Sequence, residues 1–138
     1  MQKTEIEIQT DVYKLLQNSS LKSAVNGKVY QNGLRPRDSK AEDMVVIFTT
    51  GLSGQVQTGV ITIHVFVPQI SNVSNGVLQP NLIRVNTLEK EAQAFVDSLT
   101  ASMSDYKFMQ WKTIASIQDD ELKQTIIVIQ LKFKLLTN

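Results

Sequence analysis

The chain has 138 residues, no cysteine and one histidine, and its 14 basic and 13 acidic side chains leave a net charge of +1. The lack of cysteine excludes disulfides, thiolate metal sites and cysteine nucleophiles, and the near-neutral charge argues against broad binding to a phosphate backbone. The length is typical of one domain, so we expect a single domain over residues 1–138.

The amino-terminal residues alternate between polar and apolar types and contain no apolar segment of the kind found in signal peptides. No apolar run approaches the ~20 residues that a membrane-spanning helix needs. We therefore expect a protein that is cytosolic at synthesis.

The first part of the chain predicts a helix, a short strand and a polar loop. Residues 10–25 carry apolar side chains at helical spacing, with Thr10 as the cap and Gly27 just after the end. A short strand at residues 28–30 follows. The next segment, residues 31–43, is a polar loop that is longer than most connections.

Two strands, residues 44–50 and 55–67, are predicted to form a hairpin around a turn at residues 51–54. The second strand alternates its side chains onto two faces, and we expect the fully apolar face to pack in the core. The other face is only half polar, which is unusual for a sheet face exposed to water, so something is expected to cover it. This face carries Val56, Thr58, Val60, Thr62, His64 and Phe66.

The second part predicts a long loop at residues 69–81, a helix from about Asn81 to about Met103, and two strands at residues 106–117 and 122–135. Asn86 and Glu89 also match a capping box, which gives a second possible start for the helix. Two runs of strands separated by a helix indicate an α+β fold, with an antiparallel or mixed β-sheet and two helices packed on one face. The residues expected in the core are Ile61, Ile63, Val65, Phe95, Leu99, Ile127, Ile129 and Leu131.

Groups that could perform chemistry are few. His64 lies in a strand with no second ligand nearby in the sequence, and we interpret it as a structural residue. The acids at 119–121 and at 42–43 are interpreted as solvated side chains beside a turn and a strand. Neither a nucleophile elbow nor a phosphate-binding loop is present in the sequence. We expect a protein that is not an enzyme and that uses no metal and no cofactor.

A basic stretch stands out against the balanced charge. Lys22, Lys28, Arg35, Arg37 and Lys40 are accompanied by a single acid, Asp38, between them. Two interpretations stay open: a solvated loop, or a contact with a polyanion or an acidic partner.

The order of features resembles the tail-completion, or minor-capsid, family of tailed phages, which includes tail terminators. The resemblance is carried by the helix opening at residues 11–16, the Gly27-Lys28-Val29-Tyr30 step and the acid-led strand at 42–47. It continues through the long strand that ends at Pro68, the helix around residues 89–96 and a closing hairpin. The predicted loop at 69–81 departs from the family pattern in its length.

The resemblance implies a tail-terminator-like fold and a structural role in the virion. Such proteins form rings, often hexamers, that cap the phage tail tube and join it to the head connector. The partners would then be further copies of the chain, the tail tube and connector proteins, and DNA in the lumen, with no membrane. The protein would occupy the host bacterial cytoplasm during assembly, as part of a phage or prophage, and afterwards the virion tail.

In this interpretation, two sets of residues have roles. Val56, Val60 and Phe66 would form the subunit interface, and Arg35, Arg37 and Lys40 would contact a partner or DNA in the lumen. The alternative is a small stand-alone module that binds a peptide or a ligand and has no role in a virion.

Overall fold

The computed structural model describes residues 2–102 and 104–136. The fold is α+β, as the order of the sequence patterns predicts. In chain order the elements are α1 (Glu5–Gln17), α2 (Ser20–Ala24), β1 (Val29–Gln31), β2 (Met44–Leu52), β3 (Val56–Pro68), β4 (Ile70–Ser71), β5 (Leu78–Gln79), α3 (Leu82–Ala101), β6 (Tyr106–Gln110), β7 (Ala115–Asp119) and β8 (Gln124–Leu136).

The first helix begins earlier than the sequence pattern predicts. Thr4 is the cap: its hydroxyl accepts a hydrogen bond from the backbone N–H of Glu7, and the Glu7 carboxylate accepts one from the backbone N–H of Thr4. This reciprocal pairing satisfies two amide groups that a helix start leaves free. The prediction of Thr10 as the cap is therefore wrong, and the predicted single helix is two, because Ser19 caps α2 separately.

The main sheet has six strands and is mixed. Its order is β1-β2-β3-β8-β6, with β7 pairing with β8 beside β6. Only the β1–β2 pairing among the described strands is parallel. The centre of the sheet is the antiparallel pair β3–β8, which is continuous from Val56 opposite Leu136 to Pro68 opposite Gln124.

The strand predicted over residues 106–117 is broken into β6 and β7. Both segments pair with β8, but the four residues 111–114 lie across from only two residues of β8, Ile129 and Gln130. Extra residues of this kind make a bulge that redirects side chains. The bulge leaves the Trp111 side chain exposed.

The core lies between one face of the main sheet and the helices. All eight residues predicted to form the core are buried and belong to one cluster. Helices α1, α2 and α3 contribute apolar side chains to the same cluster, including Ile8, Val12, Leu16, Leu21, Leu88 and Val96. The helices therefore cover a single face of the sheet, as predicted.

The segment predicted as a loop at 69–81 contains the small hairpin β4–β5. We call residues 69–80 the arm. No charged residue occurs in the arm, yet its apolar side chains are exposed at Ile70, Val73, Val77 and Leu78. The arm is followed by Asn81, whose side chain accepts a hydrogen bond from the backbone N–H of Arg84 and caps α3, so the helix begins near the predicted position.

No helix in residues 2–102 and 104–136 is long and apolar enough to cross a membrane.

Candidate interaction surface

The face of the main sheet opposite the core is not covered by any helix of the described chain. Residues opposite each other in an antiparallel pair project to the same side, so the pairing register identifies the members of this face. We call it the open face. It includes Val45, Ile47, Thr50, Leu52, Val56, Thr58, Val60, Thr62, His64, Phe66, Lys107, Met109, Ile117, Ile126, Val128, Gln130, Lys132, Lys134 and Leu136.

One end of the open face is an apolar cluster. Val45, Phe66 and Ile126 are buried against each other, and partly buried apolar side chains surround them. These side chains come from neighbouring strands and shield each other, and no helix covers them. Such mutual shielding removes a large part of their apolar surface from water.

Two of the three residues predicted at the subunit interface, Val60 and Phe66, are buried within the chain. Val60 is 8% exposed and Phe66 is 9% exposed, whereas Val56 is exposed at the end of β3. Val60 is shielded because β3 is a central strand and the register places Thr50 and Lys132 on either side of it. Of the three residues only Val56 is exposed, and a role of the three in a subunit interface stays a prediction.

Arg35 is a buried structural residue. Its Nε donates a hydrogen bond to Asp43 Oδ2 at 3.0 Å, and the two side chains are 8% and 2% exposed. Its guanidinium also donates to the carbonyl of Ser39 and lies over the Phe66 ring, 3.8 Å from its centroid. Arg35 thus holds the 32–43 loop together through Asp43 and Ser39, and it covers Phe66. The prediction that Arg35 contacts DNA or a partner therefore does not fit the structure.

The other two predicted contact residues do reach solvent. Arg37 and Lys40 are both exposed, and Arg37 forms an exposed ion pair with Glu121. The three basic residues therefore do not form one free basic patch. Contact of Arg37 and Lys40 with a partner or with DNA stays a proposal.

The acids at positions 42 and 43 are buried, contrary to the prediction that they are solvated. Glu42 accepts two hydrogen bonds from Arg84, from Nε at 2.7 Å and from Nη2 at 2.8 Å. These bonds from the guanidinium hold the pKa of Glu42 below its usual value. Because residue 27 is a glycine, its backbone can lie close to Asp43. A Cβ at that position would lie 2.4 Å from Asp43 Oδ1.

The other end of the open face carries unpaired lysines around an apolar floor. A trough of about 450 Å³ lies across β2, β3, β8 and β6. We call it the lysine trough: its floor includes Leu52, Val60 and Met109, and its rim carries Lys107, Lys132 and Lys134. The three lysines are exposed, and none forms an ion pair within the described part of the chain.

Sequence reasoning missed most of the exposed apolar residues of this face. Besides Val56, these are Leu52, Met109, Ile117 and Leu136, with Trp111 adjacent in the bulge. The ammonium groups of Lys112 and Lys132 lie 4.5 Å and 5.6 Å from the centroid of the Trp111 ring. The alternation of β8 does indicate that Lys132 and Lys134 face solvent, but the neighbours of these lysines become visible only in the register of the sheet.

His64 lies in the middle of the open face, between Thr62 and Phe66 along β3. Its ring makes an edge-on contact with the Phe66 ring, with 6.2 Å between centroids. Burial lowers the pKa of His64 because charging the imidazole there would cost solvation. The position is consistent with a packing residue of the sheet surface.

A second concave region lies between α1, the end of α3 and the start of β6. It has a volume of about 680 Å³, and several serines line it beside Leu15, Phe95 and Leu99. At its edge, Asp11 Oδ2 accepts hydrogen bonds from Lys3 Nζ and the Tyr106 hydroxyl, each at 2.6 Å. Burial, the largest single influence, would raise the pKa of Asp11, but these two hydrogen bonds and the charges of Lys3 and Lys14 together outweigh it and leave the pKa lowered.

Among the residues that the structure describes, no group of three or more histidine, aspartate and glutamate side chains could hold a metal ion. No protein-family model matches the chain, and a search of curated proteins finds no match.

Proposed function

We propose that the protein is a structural assembly factor of a tailed phage, a tail terminator or head–tail completion protein that works by self-association into a ring. The observation that supports this proposal is the open face, a sheet surface with exposed apolar side chains and no covering helix within the described chain. Surfaces of this kind on small proteins typically mark sites of protein association.

The arm supplies a second surface for association. Its exposed side chains are apolar and it carries no charge, so it can enter an apolar contact without desolvating an ion. A ring needs two different complementary patches on each subunit, and the open face and the arm are separate surfaces of one chain. In the proposed ring, contacts of this kind would bury ~800 Å² per partner, as stable associations typically do.

Analytical ultracentrifugation across a concentration series tests self-association. The variant Ile117→Glu places a charge on the open face at a side chain that is 55% exposed, so the monomer keeps its core. The matched control is Ile6→Glu, at a residue of α1 that is 58% exposed and lies away from this face. We expect the wild-type chain and the control to associate with rising concentration and Ile117→Glu to remain monomeric.

The role in the tail is tested separately. Tail tubes assembled from the tube protein of the same genome are mixed with the chain and inspected by electron microscopy for rings at one end. Capped tubes of uniform length support a terminator. A protein that stays monomeric at every concentration and never contacts tubes would overturn the proposal.

The second candidate function is a stand-alone module that binds a small ligand or peptide. The groove between α1 and α3 favours it, because about 680 Å³ is within the size range of ligand sites and its lining combines apolar and hydroxyl side chains. A monomer whose melting temperature rises with a ligand of the groove would favour this function over ring assembly.

A further inference from the structure

We propose that the lysine trough binds an acidic peptide segment of another protein, one that carries apolar side chains between its carboxylates. This inference goes beyond self-association, since the trough and its occupant are defined by charge and shape whatever the oligomeric state. It concerns the end of the open face formed by the later residues of β8, away from the apolar cluster around Phe66.

The charges of the trough are unfavourable for the isolated chain. Lys107 lies directly opposite Lys134 across β6 and β8, and Lys132 is two residues before Lys134 on the same side. Like charges opposite each other destabilise an antiparallel pair. The only acid among the register positions of the open face is Asp119, which pairs with Gln124 at the far end of β8. A bound carboxylate would relieve this repulsion.

The floor of the trough favours a peptide over nucleic acid. Leu52 and Met109 are exposed apolar side chains, whereas most contacts of a protein with a duplex are polar ones to phosphates and sugars. Single strands are usually held by successive aromatic side chains. Here Tyr106 and Phe108 of β6 are buried on the core side and Phe133 is buried as well, which leaves Trp111 as the exposed aromatic side chain beside the lysines.

A second copy of the chain is a poorer occupant. The densest acidic segment of the sequence is the turn at residues 119–121. Glu121 is already paired with Arg37, and Asp119 accepts a hydrogen bond from the backbone N–H of Leu122. Lys40 and Lys123 lie beside the same turn. The chain therefore offers no strongly acidic segment of its own, and the charge of the trough fits a different protein.

The test uses fluorescence anisotropy with the full chain and a labelled, capped peptide of three Glu-Leu-Asp-Ser units. A peptide of three Gln-Leu-Asn-Ser units removes the charge and keeps the apolar side chains, and a labelled oligothymidylate serves as the nucleic-acid probe. The double variant Lys132→Gln/Lys134→Gln removes charge from the trough. Its matched control is Lys28→Gln/Lys90→Gln, at two exposed lysines that do not line the trough.

We expect the acidic peptide to bind the wild-type chain and the control alike, and to bind the trough variant about tenfold more weakly, since the variant removes two of the three lysine charges of the trough. Urea denaturation checks that both variants remain folded. Absence of binding, equal binding of the neutral peptide, or equal loss in the control overturns the proposal. Tighter binding of the oligothymidylate than of the acidic peptide at the same lysines also overturns it, in favour of a nucleic-acid site. These outcomes do not depend on ring formation, so the two proposals can fail separately.

Discussion

Lys107 and Lys134 lie directly opposite each other in the pairing of β6 with β8, on the sheet face that carries no helix. Replacing either lysine with glutamate converts a repulsive pair into an attractive one. We expect Lys107→Glu and Lys134→Glu each to raise the free energy of unfolding by about 0.2–1 kcal/mol, measured by urea denaturation at low salt. The double variant restores a like-charged pair and should lose this gain. Gains that persist unchanged at about 1 M salt would contradict the electrostatic explanation.

The two arginines of the 32–43 loop each form an ion pair, one in a buried and one in an exposed environment. Arg35 is buried with Asp43, whereas Arg37 is 74% exposed beside Glu121. Arg35→Ala leaves the Asp43 carboxylate buried without its partner, so we expect a loss of about 3–5 kcal/mol in the free energy of unfolding. Arg37→Ala should cost about 0–1 kcal/mol. Equal losses in a denaturation experiment would show that the burial of the first pair has no energetic consequence.

Ile63 and Ile129 face each other across the central strand pair and are fully buried under the helices. Truncating either to alanine removes apolar contacts and leaves a cavity, so we expect each change to cost about 2–5 kcal/mol. Ile117→Ala, at an exposed position of β7, is the control and should change stability by about 0.5 kcal/mol or less. An unchanged melting temperature for the two core variants would refute the assignment of this face to the core.

The pH dependence of stability has a contribution from His64. Burial lowers its pKa in the folded state from an ordinary value of 6.5, so the unfolded chain binds a proton more readily. The stabilising contribution is therefore complete above about pH 6.5 and is lost as the pH falls from there through the folded pKa. Glu42 and Asp11, whose pKa values are also lowered, act only below about pH 4.5.

Urea midpoints measured between about pH 7.5 and about pH 5 isolate this contribution. We expect the midpoint of the wild-type chain to fall over this range and that of His64→Gln to change less. His64→Gln should also leave assembly intact, since we interpret the residue as structural. A flat profile for the wild-type chain, or loss of assembly by a folded variant, would show that this interpretation is wrong.

The parts of the fold that the sequence predicts are those in which local periodicity and burial agree. The alternation from Ile61 to Val67 identifies the buried side of β3, and the helical spacing of Leu88, Phe95 and Leu99 identifies that of α3. These patterns are strong because a shift by one residue would turn the whole apolar set towards water. They are sufficient to predict an α+β fold with the helices on one face.

The surface is less predictable because it depends on residues that are distant in the sequence. Phe66 is shielded by Arg35, and Val60 by side chains of β2 and β8, so neither position shows its burial in the local pattern. The bulge around Trp111 depends on how β6 and β7 share β8. By contrast, the Thr4–Glu7 cap was present in the sequence as a capping box and could have been found.

The pairing of β3 with β8 at the centre of the sheet also has a consequence during synthesis, because β3 is made well before its partner. The first residue of β8, Gln124, pairs with Pro68, which emerges from the ribosome 56 residues earlier. At about 5–20 residues per second, β3 therefore waits roughly 3 to 11 s with one edge unpaired. That edge belongs to a strand of valine, isoleucine and phenylalanine, which is prone to join the edge of another nascent chain. Shielding of β3 during those seconds would therefore lower the risk of aggregation on the ribosome.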